Sequence, residues 1–314
     1  MSTLNETSSF YKGDDASLFW EMTICQSLGE LDSPYMGALQ KAATFGDMLL
    51  SRLKRSLSID SNARIVEVGG GYGTLMGRLL NQLPNLKVTM IELSPRFAAL
   101  QREALTKYPG VSVVEGDVFE VLGQSNFSAD LLISNENIGD FPTAEGLLAE
   151  EIAGIIDRGT FDGSIKGRVA RLIDRYQLPL PEDDRPFAFN LGALEYVEML
   201  KGRTNAAFIS EHSADIELKS PWGEFLNPTF TGRPRRIELK GHAEYSIRFG
   251  DLERAAVMDG WNVERFPMVE LLGVRHDAGA RFMAGAECVG NERAEIIHEF
   301  LNHVKEYECL ILKR

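Results

Sequence analysis

Residues 65–75 read Ile65-Val66-Glu67-Val68-Gly69-Gly70-Gly71-Tyr72-Gly73-Thr74-Leu75, and they decide the fold. A short β-branched run closes on an acid, Glu67, and glycines then fall at every second position, Gly69, Gly71 and Gly73. A helix-compatible stretch follows from Thr74 to Leu83. β-Branched residues suit a buried strand, and glycine admits the left-handed backbone of a tight turn. A strand, turn and helix in this order bring backbone close to a ligand at the carboxyl edge of a sheet. The spacing is not the G-x-G-x-x-G of dinucleotide binders, because Thr74 stands at the sixth position.

Outward from this loop, short apolar strands are predicted at 64–68, 87–92, 111–114 and 129–134, with helices at 74–83, 95–107 and about 117–123. Strands separated by helical stretches indicate a parallel sheet covered on both faces. Upstream, residues 1–16 are polar and read as frayed, and Ser17 to about Leu57 reads as two or three helices broken near Ser33-Pro34. Downstream, 144–178 reads as helices with glycine interruptions, and the proline-rich 179–186 excludes regular structure. The alternation resumes with a helix at about 190–202, a strand at 206–211, a Pro/Gly-rich loop at 219–236 and a strand at Ala243–Phe249. A helix at 250–259, a strand at 262–267, a helix at 291–304 and a closing strand at 308–312 complete it. The expected organisation is a helical N-terminal extension (1–60), a main domain (61–143 and 187–314) and a helical insertion (144–186), a candidate lid.

The 314 residues carry a net charge of −13, which disfavours nucleic acid as a partner and suits a cationic one. The one dense basic cluster is Arg233, Arg235 and Arg236. Cys25, Cys288 and Cys309 lie far apart without metal-like spacing and read as reduced thiols in a cytoplasmic protein. No apolar run approaches the roughly 20 residues needed to span a bilayer, and the first residues lack the apolar core of a signal peptide. The five histidines show no ligand-like spacing, so no metal is assigned.

The pattern E-x-G-x-G-x-G, with Glu67 two residues before Gly69, resembles motif I of the class I S-adenosylmethionine (SAM) methyltransferases. The resemblance implies SAM as cofactor, with Gly69, Gly71 and Gly73 forming its loop. Glu92 ends the second strand, where a carboxylate accepts from the ribose diol, with Leu93 beside it; the alternative is an ordinary strand-ending acid. Asp117 can accept from the adenine amino group while the Val118 amide serves the ring; the alternative for Asp117 is a helix N-cap. Glu67 holds loop amides or the ligand's ammonium group. The reacting end falls after the fourth strand, in Asn135-Glu136-Asn137-Ile138-Gly139-Asp140-Phe141-Pro142. Methyl transfer needs an oriented nucleophile and control of its proton, so Glu136 and Asp140 are catalytic candidates and Asn135 a cofactor contact. Turn chemistry is the competing account of Asn135 and Asp140. His212, after the presumed fifth strand, is a candidate base; the alternative is a satisfied loop histidine.

Several stretches also resemble the MidA-like branch, which includes the mitochondrial arginine methyltransferase assisting complex I assembly. They are Ala43–Leu49, Gly73-Thr74-Leu75, Asn135-Glu136 with Phe141-Pro142, Ile209–His212, Gly241–Leu252 and Tyr307–Lys313. The family's aspartate after Asn-Glu falls on Gly139, with Asp140 one position later, and its Asp-Tyr-Gly turn is Glu211-His212-Ser213 here. The expected fold is therefore α/β: a Rossmann-like class I methyltransferase with a seven-stranded, mostly parallel sheet. The expected function is SAM-dependent methylation of a protein side chain, arginine first. The alternatives are a small-molecule methyltransferase with a closed pocket and a non-catalytic SAM-binding assembly protein. Partners are the methyl acceptor, with no nucleic acid or membrane, and the reading leaves room for a homodimer.

Overall fold

The computed structural model describes residues 2–13, 17–18, 22–228, 230–285 and 290–314; Cys288 lies outside them. Seven strands form the central sheet: β1 (Arg64–Val68), β2 (Lys87–Glu92), β3 (Val111–Glu115), β4 (Ala129–Asn135), β5 (Thr204–His212), β6 (Asn262–Pro267) and β7 (Tyr307–Lys313). Their order is β3-β2-β1-β4-β5-β7-β6. The first five pair in parallel, and β7 runs antiparallel between β5 and β6. That is the class I methyltransferase sheet, and its order reverses at β1/β4, where ligands bind in open α/β folds.

Local chemistry explains the helices. Alpha-helix α1 (Phe45–Ser56) starts at Thr44, whose hydroxyl accepts from the Asp47 amide. Gly73, at φ 77°, turns the chain into α2 (Thr74–Gln82). Ser94 caps α3 (Pro95–Ala104) with Pro95 in its first turn, and Asp117 caps α4 (Val118–Gly123). Two apolar layers clothe the sheet. One joins β1, β4 and β5 side chains to Leu75, Leu79 and Phe300; the other joins them to Leu172, Tyr196 and Phe249. Each buried leucine or phenylalanine contributes about 1.5–3 kcal/mol by leaving water.

The additions depart from expectation in three ways. The N-terminal stretch is ordered where described: Thr3–Asn5 pairs antiparallel with Thr143–Leu147, and Ser8–Tyr11 forms one helical turn. The region 144–186 opens on that strand before its helices α5 (Ala149–Arg158) and α6 (Ile165–Tyr176), and Phe187–Phe189 completes a small sheet. Ala243–Tyr245 pairs only with Arg236–Glu238, as a ribbon outside the main sheet. Polarity misled at the N-terminus, because three extended residues need only one free strand edge to become ordered. Helices α7 (Leu191–Leu200), α8 (Phe249–Met258) and α9 (Glu292–Val304) follow the expected boundaries closely. Among the described residues no helix is long and apolar enough to cross a membrane.

Candidate active site

The carboxyl edge of β1, β2 and β4 opens into a cavity of about 260 Å³. Its floor is the glycine loop. Gly69, Gly71 and Gly73 all have positive φ, at 60°, 52° and 77°. A Cβ at Gly70 would fall 2.5 Å from Met90 Cε, and one at Gly69 would fall 2.8 Å from Asn137 Nδ2. Positive φ favours glycine at 69, 71 and 73, while a side chain at Gly70 would displace Met90, and the Asn137 amide donates to the Val68 carbonyl from the other side.

Three carboxylates arrive from successive strand ends. Glu67 is buried, and its Oε2 has no hydrogen-bond partner among the described residues. Burial, with the nearby Glu92 charge, pushes its carboxyl up to about 8. Glu92 accepts from the Ser94 amide (3.0 Å) and from Gln101 Nε2 (2.8 Å), and burial raises it to about 7. Gln101 also donates to the Gly71 carbonyl (2.9 Å), tying Glu92 to the glycine loop. The sequence reading missed Gln101, although a glutamine sharing the buried face of α3 with Phe97 and Ala98 was a visible signal. Asp117 accepts from the Phe119 amide (2.8 Å), so it caps α4 as the alternative held, and it also lines the cavity beside Val118. Leu93 lines the same wall.

Beyond the loop, Glu136 closes β4 with φ 54°, a left-handed backbone that L side chains seldom adopt. Both its carboxylate oxygens are engaged: Oε2 accepts from the Ile24 amide (2.7 Å), and Oε1 from the Cys25 amide (3.1 Å) and Asn135 Nδ2 (2.8 Å). Asn135 in turn accepts from the Ser210 hydroxyl (2.8 Å). Burial raises the Glu136 carboxyl, opposed by these hydrogen bonds. Asp140 accepts from the Tyr11 hydroxyl (2.8 Å), and burial lifts it to about 6.

His212 stands apart from this group. It does not line the cavity; its ring lies 4.0 Å from that of Tyr307 and 5.1 Å from that of His303, and burial drives its pKa well down. Its neighbour Glu211 reaches back, accepting from the Gly139 amide (3.1 Å), and burial raises it to about 8. Residues 144–186 contribute nothing to the described lining; the N-terminal segment does, through Glu6, Thr7, Ser8, Tyr11, Leu18, Thr23, Cys25 and Gln26.

The electrostatics are one-sided. Seven carboxylates line the cavity (Glu6, Glu67, Glu92, Asp117, Glu136, Asp140 and Glu244), and no Lys, Arg or His occurs among the described lining residues. SAM carries an ammonium, a sulfonium and a ribose diol. The orphaned Glu67 oxygen and the β2-end carboxylate are acceptors that would fit the ammonium and the diol, beside the glycine cradle. Among the described residues no group of three His, Cys, Asp or Glu is placed to hold a metal.

Residues 65–159 match a family described as a methyltransferase domain. A release factor glutamine methyltransferase of Geobacter sulfurreducens is 34% identical over 139 residues, 44% of this chain and 45% of the relative. A ribosomal RNA small subunit methyltransferase A of the same organism is 33% identical over 73 residues, 23% of this chain and 26% of the relative. The chain thus spans less than half the length of these curated relatives. Among solved structures, a TehB-like SAM-dependent methyltransferase of Corynebacterium glutamicum is 14% identical, with 86% of each chain covered and a TM-score of 0.35. The plantazolicin methyltransferase BpumL, solved with S-adenosylhomocysteine, is 11% identical, with 90% of this chain and 86% of that one covered and a TM-score of 0.40. Strand order and the glycine loop are those of the class I methyltransferase fold, and the match to a methyltransferase domain covers residues 65–159 within it.

Proposed function

We propose that this chain transfers a methyl group from SAM to a nitrogen of a cationic acceptor, with a protein arginine side chain, as in the MidA-like branch, as the first candidate. The observation that carries this reading is the all-acidic cavity, lined by seven carboxylates with no basic side chain among the described lining residues. Glu92 would take the ribose diol, Asp117 and the Val118 amide the adenine, and Glu67, with Asn135 and the glycine loop, the amino-acid end. SAM supplies an electrophilic methyl carbon on a positively charged sulfur. The chain's own residues orient the acceptor, exclude water beneath the N-terminal segment and hold the acceptor's proton. Glu136, whose oxygens bind the Ile24 and Cys25 amides, positions that segment over the reacting end.

A second reading, a small cationic molecule as acceptor, is favoured by the cover itself: residues from Glu6 to Gln26 wall the cavity where an open groove would suit a protein side chain. The deciding experiment for the cofactor is a thermal melt with SAM, S-adenosylhomocysteine or NAD, for the wild type and Glu92→Ala. Saturation a hundredfold above Kd adds about 2.7 kcal/mol, which raises Tm by about 5 °C. The wild type is expected to shift with the first two ligands only, and a folded Glu92→Ala with neither. An Ala variant that shifts like the wild type removes Glu92 from the ribose site. Peptide arginine and free guanidino or amino compounds, offered with labelled SAM, then separate the two acceptor readings.

A further inference from the structure

Two segments remote in sequence converge on Asp140. The N-terminal turn brings Tyr11, whose hydroxyl donates to Asp140 Oδ2 at 2.8 Å. The ribbon loop brings His242, whose Nε2 lies 3.6 Å from Asp140 Oδ1 and 3.4 Å from the Tyr11 oxygen. Phe10 stacks on the His242 ring at 4.1 Å and fills the space that a side chain at Gly241 would need. Thr7 completes the clasp by donating to the Asp140 carbonyl (3.0 Å), and Asn5 by donating to the Ala243 carbonyl (2.7 Å). In this part-buried cluster Asp140 Oδ1 makes no hydrogen bond among the described residues, although both Asp140 and Tyr11 line the cavity. A turn-forming aspartate would spend its oxygens on nearby amides; this one is held by side chains from two other parts of the chain.

We propose that Asp140 is the proton acceptor for the nitrogen that receives the methyl group, and that Tyr11 and His242 are positioning residues for it. The proposal rests on the reading of a nitrogen acceptor given above. The nitrogen lone pair forms the bond to the methyl carbon, and the carbon–sulfur bond breaks with its electron pair left on sulfur. The nitrogen, now carrying one substituent too many, passes its proton to Asp140 Oδ1, which returns it to water as product leaves. Titratable groups facing Asp140 are Tyr11 and His242, with Glu211 of β5 acting on it through space; Glu6, Glu67, Glu92, Asp117, Glu136 and Glu244 share the cavity.

The test needs no turnover. Methylguanidinium chloride is titrated calorimetrically into the wild type, Asp140→Asn and Tyr11→Phe from pH 5 to pH 8, with circular dichroism as the fold control. Binding of the probe by the wild type should tighten about fivefold through a midpoint near 6, and Asp140→Asn should lose that step, keeping only the later rise that ionisation of Glu67 and Glu92 adds in both proteins. Tyr11→Phe should move the midpoint upward, since it removes a donor that favours the carboxylate. In turnover with any accepted nitrogen substrate, Asp140→Asn should lower kcat by about 100-fold and leave the KM for SAM unchanged. A wild type that ignores the probe overturns the proposal, as does an Asp140→Asn protein that binds it like the wild type or an unmoved midpoint in Tyr11→Phe. Failure of the methyltransferase reading would show separately, as a wild-type Tm indifferent to SAM.

Discussion

At φ 54°, Glu136 carries two opposed effects in one residue. Its backbone is in the left-handed region, which costs an L residue about 1 kcal/mol, while its carboxylate fastens the Ile24 and Cys25 amides. Replacement by alanine removes the fastening and keeps the strain; replacement by glycine removes both. Glu136→Gly should therefore be more stable than Glu136→Ala by about 1 kcal/mol, read as a higher denaturation midpoint at unchanged m-value. Equal midpoints would mean that the turn relaxes in the variants. At this scale the sequence was informative wherever the chain itself fixes the geometry. Glu67, Glu92 and Asp117 follow strand ends at βαβ spacing, so their convergence could be read from the glycine loop onward. Tyr11 and His242 could not be placed this way, because each reaches the site through a tertiary contact that local pattern does not encode; Gln101 was legible only from its place on the buried face of α3.

Among the elements, helices α5 and α6 belong to the body of the domain. Ile152, Val169, Leu172 and Ile173 are buried in the same layer as Leu194 and Phe249, and Arg168 and Arg171 pair with Glu195 and Glu198 of α7. Leu172→Ala should cost about 2–5 kcal/mol in a single unfolding transition while leaving SAM affinity unaltered. An early partial transition, or an altered cofactor affinity, would restore the lid reading for 144–186. The seven sheet strands were legible because each is a short apolar run between turn signals. The Thr3–Asn5 strand and the Arg236–Glu238 half of the ribbon were not, since three residues carry too little pattern; the Ala243–Tyr245 half was read as a longer strand.

For the molecule as a whole, the acidic cavity sets a pH dependence. Glu67, Glu92 and Glu211 are raised by burial to about 8, 7 and 8, so the folded state holds protons there that the unfolded state has released. Stability must fall as pH rises through that range. Histidines act in the opposite sense at lower pH: His303 is depressed by burial to about 4, and His212 and His242 also lie below their ordinary value. Their contribution grows up to about pH 6.5 and then stops. Between pH 6.5 and 8 the ligand-free protein should thus lose Tm steadily, and Glu67→Gln should flatten the slope. Binding of a cation such as SAM, with its sulfonium and ammonium, favours the ionised carboxylates, so its Tm increment should widen over the same interval. A flat profile in both states would mean that these carboxyls are hydrated in solution.

The place of β7 between β5 and β6 has a consequence for synthesis. On the ribosome, β5 and β6 emerge well before Tyr307–Lys313, and neither can close on the other, because the strand that joins them has not yet been made. Until it arrives, the nascent chain displays two open apolar edges, the kind of surface that recruits chaperones or a neighbouring nascent chain. Messages that stall or are cut just before Tyr307 should accordingly yield aggregated rather than partly active protein.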